Sequence, residues 1–422
     1  MRALFAWELG RNFGHIAKLA GVARVLARRG WKIDLALQQP AIAKMFAADF
    51  PFTLHQAPFK AAAAPARSNM SAPAPVILSD GFLHCGYDNP DELTALIRGW
   101  QILFKQLQPD ALITQAAPTA ALASAESCFR RFSIGTGYDL VPLTDPLPAL
   151  HYWKDVSLAV RQARDSLVTT KINAALDKLG MQRIDHVAQM LAMDKHFLCA
   201  FRELDHYPST MRSGAEADYY GAIFATNHGK ELTWNPLATS RIFAYLEPLS
   251  HTLPACVAAL QNLPANHDII LVSLSLSEGL QRKISRPNLR VSCEPVRLGG
   301  LLSDADLVLS NGNSGTTNLV ALQGVPQLVF PNHLEQFMMS RAASASGLAK
   351  LMRNDSSARQ VRHAIDTMLL SSRYRKKAEA FAAKYADFDP VVPAGKISDE
   401  IEAMMQPGHP QDNPGHPQPN SG

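Results

Sequence analysis

Apolar and polar positions alternate in blocks along the chain, in two series. The first opens with "RALFAW", an almost unbroken apolar run that predicts a strand buried on both faces. "LGRNFGH" reads as a turn. Ile16, Leu19, Ala20, Ala23, Leu26 and Ala27 then recur at helical spacing, Gly30 ends the helix, and "KIDLAL" is the next strand. "PDALIT" (109–114) and "RFSIGTG" (131–137) continue the pattern, and the stretch from 153 to about 203 reads as helical. A second series follows: "RIFAYL", "HDIILVSL", "LRVSCEP", "ADLVLS" and "PQLVF". Strands that alternate with helices imply parallel sheets covered on both faces.

The expected class is therefore α/β, with two Rossmann-like doubly wound domains. The division expected is 1–225 for the first domain, a turn-rich linker at 226–240, and 241–385 for the second. Ile397, Ile401, Met404 and Met405 mark a last amphipathic helix within 386–405, expected to cross back to the first domain. The Pro-rich, nearly self-repeating tail at 406–422 is expected to be disordered, and the Ala/Pro-rich stretch 57–75 to be a long functional or mobile loop. A chain of 422 residues agrees with two cores rather than one.

Composition narrows the function classes. A net charge of +4 is too mild to argue for nucleic acid, and no run approaches the ~18 apolar residues of a membrane span. Cys85, Cys128, Cys199, Cys256 and Cys293 lie far apart with no C-x-x-C pair, which reads as free thiols and a cytoplasmic setting. No His/Cys/Asp cluster has metal spacing, so no metal or other cofactor is expected. Asp304-Ala-Asp306 imitates a metal motif, but it precedes its strand and reads as a helix-to-strand turn. Lys18, Arg24, Arg28 and Arg29 form a basic helix face, solvated by preference, with peripheral membrane contact as the other use.

The chemistry is concentrated in "SNGNSGTTNLVALQGVPQLVFPNHLEQ" (310–336). A strand ends at Ser310, a tight turn follows, and "TTNLVALQ" starts a short helix. In an open parallel sheet, ligands bind beyond the carboxyl ends of the strands. The loops 311–316 and 332–336 both emerge there and are expected to face one cleft. A helix start offers unpaired N–H groups and a partial positive charge, which suit phosphate. Gly312 and Gly315 permit close backbone approach, Ser314, Thr316 and Thr317 add hydroxyls, and Glu335 and Gln336 are placed to bind sugar hydroxyls. A phosphate cradle beside a polyol reader suggests a nucleotide sugar. The same residues also fit a structural turn with a helix cap.

This stretch resembles the donor signature of GT-B glycosyltransferases of the UDP-glucuronosyl/UDP-glucosyltransferase type, bacterial members included. "RNFGH", "PDALIT", "AALASAESCFRRFSIGTGYDLVPL" and "IFAYLEPLSHTLPACVAAL" extend the resemblance over most of the chain. It implies an inverting, metal-independent transfer of a hexose-type sugar from a UDP- or dTDP-sugar to a small-molecule or lipid acceptor. It places the donor phosphates on Asn311, Gly312, Asn313, Ser314, Gly315 and Thr316, the sugar on Glu335 and Gln336, and the base ring near the backbone of Val296 and Arg297. His15, at the start of the first helix, takes the role of general base, with Glu8 as the other candidate. The acceptor is expected against the first domain, including 57–75 and "GFLHCGYD" (81–88).

Five positions depart from the pattern: Asn313 stands where a small or aromatic residue is usual and Glu335 where an Asp is, and three others bear on the chemistry more directly. Asn311 stands where a phosphate-contacting His is usual, Gln115 where an acid orients the catalytic His, and Glu247 where Gly or Ser is common. Asp139 and Glu8 are possible substitutes for that acid. Two other functions keep the same fold: a sugar-nucleotide epimerase, and a non-catalytic binding protein.

Overall fold

The apolar runs of each series close into a six-stranded parallel sheet. The computed structural model describes residues 1–10, 13–41, 52–60, 75–214, 218–224 and 229–406. Most of the 57–75 stretch, the 407–422 tail and residues 11–12 of the first turn lie outside them.

The first sheet contains β1 (Arg2–Trp7), β2 (Lys32–Leu37), β3 (Thr53–Gln56), β4 (Ala111–Gln115), β5 (Arg130–Gly135) and β6 (Lys195–Leu198), in the order β3-β2-β1-β4-β5-β6. The second contains β7 (Ser240–Tyr245), β8 (His267–Val272), β9 (Leu289–Ser292), β10 (Leu307–Ser310), β11 (Gln327–Val329) and β12 (Ala349–Leu351), in the order β12-β11-β10-β7-β8-β9. Counted within its own sheet, each has the doubly wound order 3-2-1-4-5-6. The strand order reverses between β1 and β4 in one and between β7 and β10 in the other. These are the switch points at which such sheets leave a crevice for ligand.

Burial on both faces explains why the central strands read as unbroken apolar runs. Along β7 and β8, Ile242, Ala244, Ile269 and Leu271 enter one apolar cluster, while Phe243, Ile270 and Val272 enter the other. The strands that sequence patterning missed are β3, β6 and β12. They are edge strands of three or four residues with partly exposed positions, too short for a period to register. β6 interrupts the stretch expected to be helical.

The chain divides into two compact units. Unit one is Met1–Cys199, Ser209–Ile223 and Val391–Gly422; unit two is Ala200–Pro208 and Phe224–Pro390. The segment 200–208 thus lies with the second unit, held by the edge-on contact of Phe201 with Phe381 and its tilted contact with Tyr385. The described part of the turn-rich stretch packs on the second sheet: Trp234 Nε1 donates to the Leu301 carbonyl (3.0 Å) and the Asn235 N–H to Asp268 Oδ2 (2.6 Å). The last helix, Val392–Met404, packs on the first helix, Phe13–Arg28, through Ile397 and Ile401, and its Asp399 and Glu402 bind Arg29. That ion pairing, and the bond from Lys18 Nζ to the Gly14 carbonyl, occupy part of the basic helix face. Asp306 accepts from the Arg241 N–H (2.8 Å) at the amino end of β7, where it orders a turn.

Asp34, in the middle of β2, is wholly buried. Its carboxylate accepts from Arg2 Nε (2.7 Å) and Nη2 (3.2 Å) and lies 2.8 Å from His55 Nε2. Burial pushes this carboxyl up, but Arg2 and His55 together hold it below its ordinary value. A carboxylate depressed in the folded state stabilises above the unfolded value, near pH ~4, and that contribution is lost as pH falls through the folded value. Asp34→Asn is therefore expected to lower the unfolding free energy by ~1.5–3 kcal/mol at pH 7, the range for hydrogen bonds to charged groups. The gap from wild type should shrink toward pH ~3. Urea unfolding at the two pH values checks this; a gap that does not change with pH would refute it.

Candidate functional site

Both groups of candidate residues lie at the switch points. In the first unit, His15 is near the start of the helix that follows β1, and Gln115 ends β4, the neighbour of β1. His15 Nδ1 is 2.7 Å from Gln115 Oε1, and Gln115 Nε2 donates to Asp139 Oδ2 (3.0 Å). Asp139 Oδ2 also accepts from the N–H (3.1 Å) and hydroxyl (3.2 Å) of Thr136. The His15 ring stacks on Trp7, with centroids 5.6 Å apart and planes 19° apart. Gly10 has φ +92°, and a Cβ on it would lie 2.4 Å from His15 Nε2. Only glycine both accepts that backbone and leaves the space beside Nε2 unfilled. Ala116, which follows Gln115, has φ 45°, and its carbonyl takes the Leu9 N–H at 2.9 Å, tying the two loops together. A non-glycine residue in this region stores strain of about 1–3 kcal/mol, a feature that clusters at functional sites.

Glu8, the second candidate base, is in a different setting. It is 1% exposed, and its carboxylate accepts the N–H groups of Ala120 (2.6 Å) and Thr119 (3.1 Å) at the start of Pro118–Ala123. Burial pushes its carboxyl up to about 8, against the opposing pull of those bonds. With both oxygens held by backbone and no exposed surface, Glu8 organises the turn after β4 and is withdrawn from any acceptor. Of the two candidates, His15 alone has surface.

In the second unit, the loops after β7, β10 and β11 are stitched into one polar network. Asn311 is 1% exposed. Its Oδ1 accepts the Glu247 N–H (2.7 Å), and its Nδ2 donates to the Phe330 carbonyl (2.8 Å) and Ser250 Oγ (3.3 Å). Gln336 is fully buried. Its Oε1 accepts the Asn332 N–H (2.7 Å), and its Nε2 donates to Glu247 Oε1 (2.9 Å) and Asn313 Oδ1 (2.8 Å). Glu247 Oε2 accepts from Asn332 Nδ2 (3.0 Å), and Ser250 Oγ donates to Asn332 Oδ1 (2.9 Å).

This arrangement corrects the direct contacts expected of Asn311 and Gln336. The oxygen and both amide hydrogens of each are held by protein groups, so they shape the loops and leave no hydrogen for a phosphate or a sugar. The Glu247 carboxylate is met by two side-chain amides. Glu247→Ala would strand those amides; a loss of ~1–3 kcal/mol in unfolding free energy is expected from denaturant titration. A variant as stable as wild type would show that the network carries no weight.

Backbone groups at the helix start also remain open to a ligand. The helix Ser314–Leu322 begins after Asn313, whose side chain caps no N–H. Among the described residues, the Thr317 N–H bonds the Asn313 carbonyl (2.9 Å), while the N–H groups of Ser314, Gly315 and Thr316 have no protein acceptor. Gly315 is exposed, and a Cβ there would meet nothing within 4 Å. Gly312 differs. At φ +80°, its Cβ would fall 2.2 Å from Ser340 Oγ, so this glycine is required by the fold. Glu335 is half-buried, with its carboxylate 3.5 Å from His206 Nε2 and 3.8 Å from His333 Nδ1. Further along, Lys230 bridges the loop after β9: its N–H bonds the Pro295 carbonyl (2.9 Å) and its carbonyl accepts the Arg297 N–H (3.0 Å). In such a parallel bridge the N–H and C=O of the intervening Val296 point to the other side. The Arg297 side chain is exposed, 3.9 Å from Glu231.

No family model matches the sequence, and no curated protein matches it closely enough to assign a relative. Solved structures do match over nearly the full length. The glycotransferase of kitacinnamycin superposes with a TM-score of 0.70 at 17% identity, covering 96% of this chain and 99% of that one. VinC in complex with DTDP gives 0.63 at 15% identity over 96% and 99%. The spinosyn rhamnosyltransferase SpnG complexed with spinosyn aglycone gives 0.61 at 14% identity over 95% and 100%. The fold is GT-B.

Within this GT-B chain, sequence reasoning found the loops but misjudged which of their atoms face outward. Ser250 was missed, and Asn332 was read only as the start of its loop. Their only signal was position, since each follows a strand that neighbours β10 or is β10's own partner. Among the described residues no helix is long and apolar enough to cross a membrane, and no group of three or more His, Cys, Asp or Glu is placed to hold a metal ion.

Proposed function

We propose that the protein is a glycosyltransferase that moves a hexose-type sugar from a UDP- or dTDP-activated donor to an acceptor hydroxyl, with inversion and without a metal. The observation that carries this is the helix start at Ser314, Gly315 and Thr316, with three N–H groups lacking protein acceptors beside a glycine whose missing side chain opens the approach. Such a terminus favours a diphosphate. The outward N–H and C=O of Val296 form a donor–acceptor pair suited to the edge of a nucleobase, and Glu335 suits sugar hydroxyls. VinC has been solved with DTDP and SpnG with an aglycone, which supports a nucleotide donor and an organic acceptor for this fold.

In this scheme His15 Nε2 takes the proton of the acceptor hydroxyl while the acceptor oxygen bonds to the anomeric carbon. The bond from that carbon to the diphosphate breaks, and its electron pair leaves on the nucleoside diphosphate. A cytoplasmic location and a small-molecule or lipid acceptor belong to the same proposal. Calorimetry of the protein with UDP-, dTDP- and GDP-sugars tests it: binding of one nucleotide class is expected, and no binding of any would overturn the reading. Turnover of a bound donor without acceptor into an isomeric nucleotide sugar would instead identify an epimerase.

A further inference from the structure

We propose that Gln115 and Asp139 act together as a positioning pair, fixing His15 in the tautomer that carries its proton on Nδ1 and its lone pair on Nε2. The inference rests on the reading of His15 as the base and extends it to residues outside the reacting atoms.

The argument is one of donors and acceptors. An ionised carboxylate only accepts, so the end of the Gln115 amide that meets Asp139 Oδ2 at 3.0 Å is the NH₂. The Thr136 N–H and hydroxyl on the same oxygen hold the carboxylate in place. Gly135 makes room for it, because a Cβ there would sit 2.8 Å from Asp139 Cβ. The other end of the amide is therefore a carbonyl oxygen, which also only accepts. It lies 2.7 Å from His15 Nδ1, so that nitrogen carries the hydrogen. Rotating the amide would set oxygen against carboxylate on one side and NH₂ against ring N–H on the other. Gln115 is 1% exposed, so water does not compete for either end.

The consequence is chemical. A carboxylate in direct contact with the ring would fix the same tautomer and also stabilise the imidazolium. An amide fixes the tautomer and keeps the negative charge one residue away. Among the described residues, two charged side chains on neighbouring segments have partners of their own. Lys18, one turn on, bonds the Gly14 carbonyl (2.9 Å), and Glu8 bonds the N–H groups of Thr119 and Ala120. The amide thus orients His15 through an acceptor that carries no charge of its own.

The test uses the full chain with no ligand. Nitrogen-15 NMR of labelled histidine separates the two tautomers, and the His15 resonances are those absent in His15→Ala among the 14 histidines. The Nδ1–H form is expected in wild type. Asp139→Ala should lose it or give a mixture, whereas Asp139→Asn, which keeps an acceptor oxygen, should retain it. Gln115→Glu should move the His15 titration midpoint up by about one pH unit or more, as a charge in contact does. An Nε2–H form in wild type, or an Asp139→Ala spectrum identical to wild type, would overturn the proposal. The tautomer is read without turnover, so failure of the base reading shows separately: the Nδ1–H form present, but His15→Ala as active as wild type, refutes the base and leaves the positioning pair standing.

Discussion

His15→Ala is expected to lower kcat by ~10²–10⁴-fold and to leave donor affinity nearly unchanged. That range is what positioned general bases contribute. The split follows from geometry: the proposed work of His15 is confined to the transition state, when the acceptor hydroxyl loses its proton, and an interaction made only there appears in kcat. The proposed nucleotide site is built from loops of the second sheet, whereas His15 follows a strand of the first. Removing the ring also unstacks Trp7, so a small stability loss is expected alongside. Turnover is measured with a working acceptor, or by slow donor hydrolysis, and affinity by calorimetry. Wild-type turnover would reduce His15 to a packing residue. Lost donor binding with kcat intact would mean that the division of labour between the sheets is wrong.

Gly315→Val is expected to weaken nucleoside diphosphate binding by ~1–3 kcal/mol, the cost of leaving N–H donors unpaired at the helix start. A Cβ at this position meets open space, so the variant should fold, with the exposed valine adding only a small helix-propensity change. The added bulk projects where a phosphate must approach the N–H groups of residues 314–316. Gly312→Val is the informative contrast. Its Cβ would collide with Ser340 Oγ and its backbone sits at φ +80°, so that variant should lose stability whether or not nucleotide is present. Comparing thermal midpoints with and without UDP or dTDP separates the two. Unchanged affinity in a folded Gly315→Val protein would remove the phosphate from this helix.

The sequence determined the class of fold and the loops that form the candidate site. Continuous apolar runs at the centre of a doubly covered sheet, helical spacing between them, and glycine-bearing loops after β1 and β10 were all legible, because each depends on residues near one another in the chain. It also offered His15 as a candidate base, and it noted Gln115 and Asp139 without joining them. What it did not determine was direction. Whether an amide faces a ligand or its own protein depends on partners that arrive from other strands. Asn311 is held by Glu247, Ser250 and Phe330, and Gln336 by Glu247, Asn313 and Asn332, up to 89 residues away. Buried polar groups must find such partners, and burial itself is a tertiary property. The same holds for Glu8, which looked like a base from its place after a strand and became a buried acid only once the turn after β4 closed over it. Tertiary structure alone brought His15, Gln115 and Asp139 into one line, because β1, β4 and β5 are neighbours in the sheet while about a hundred residues separate the first two in the chain.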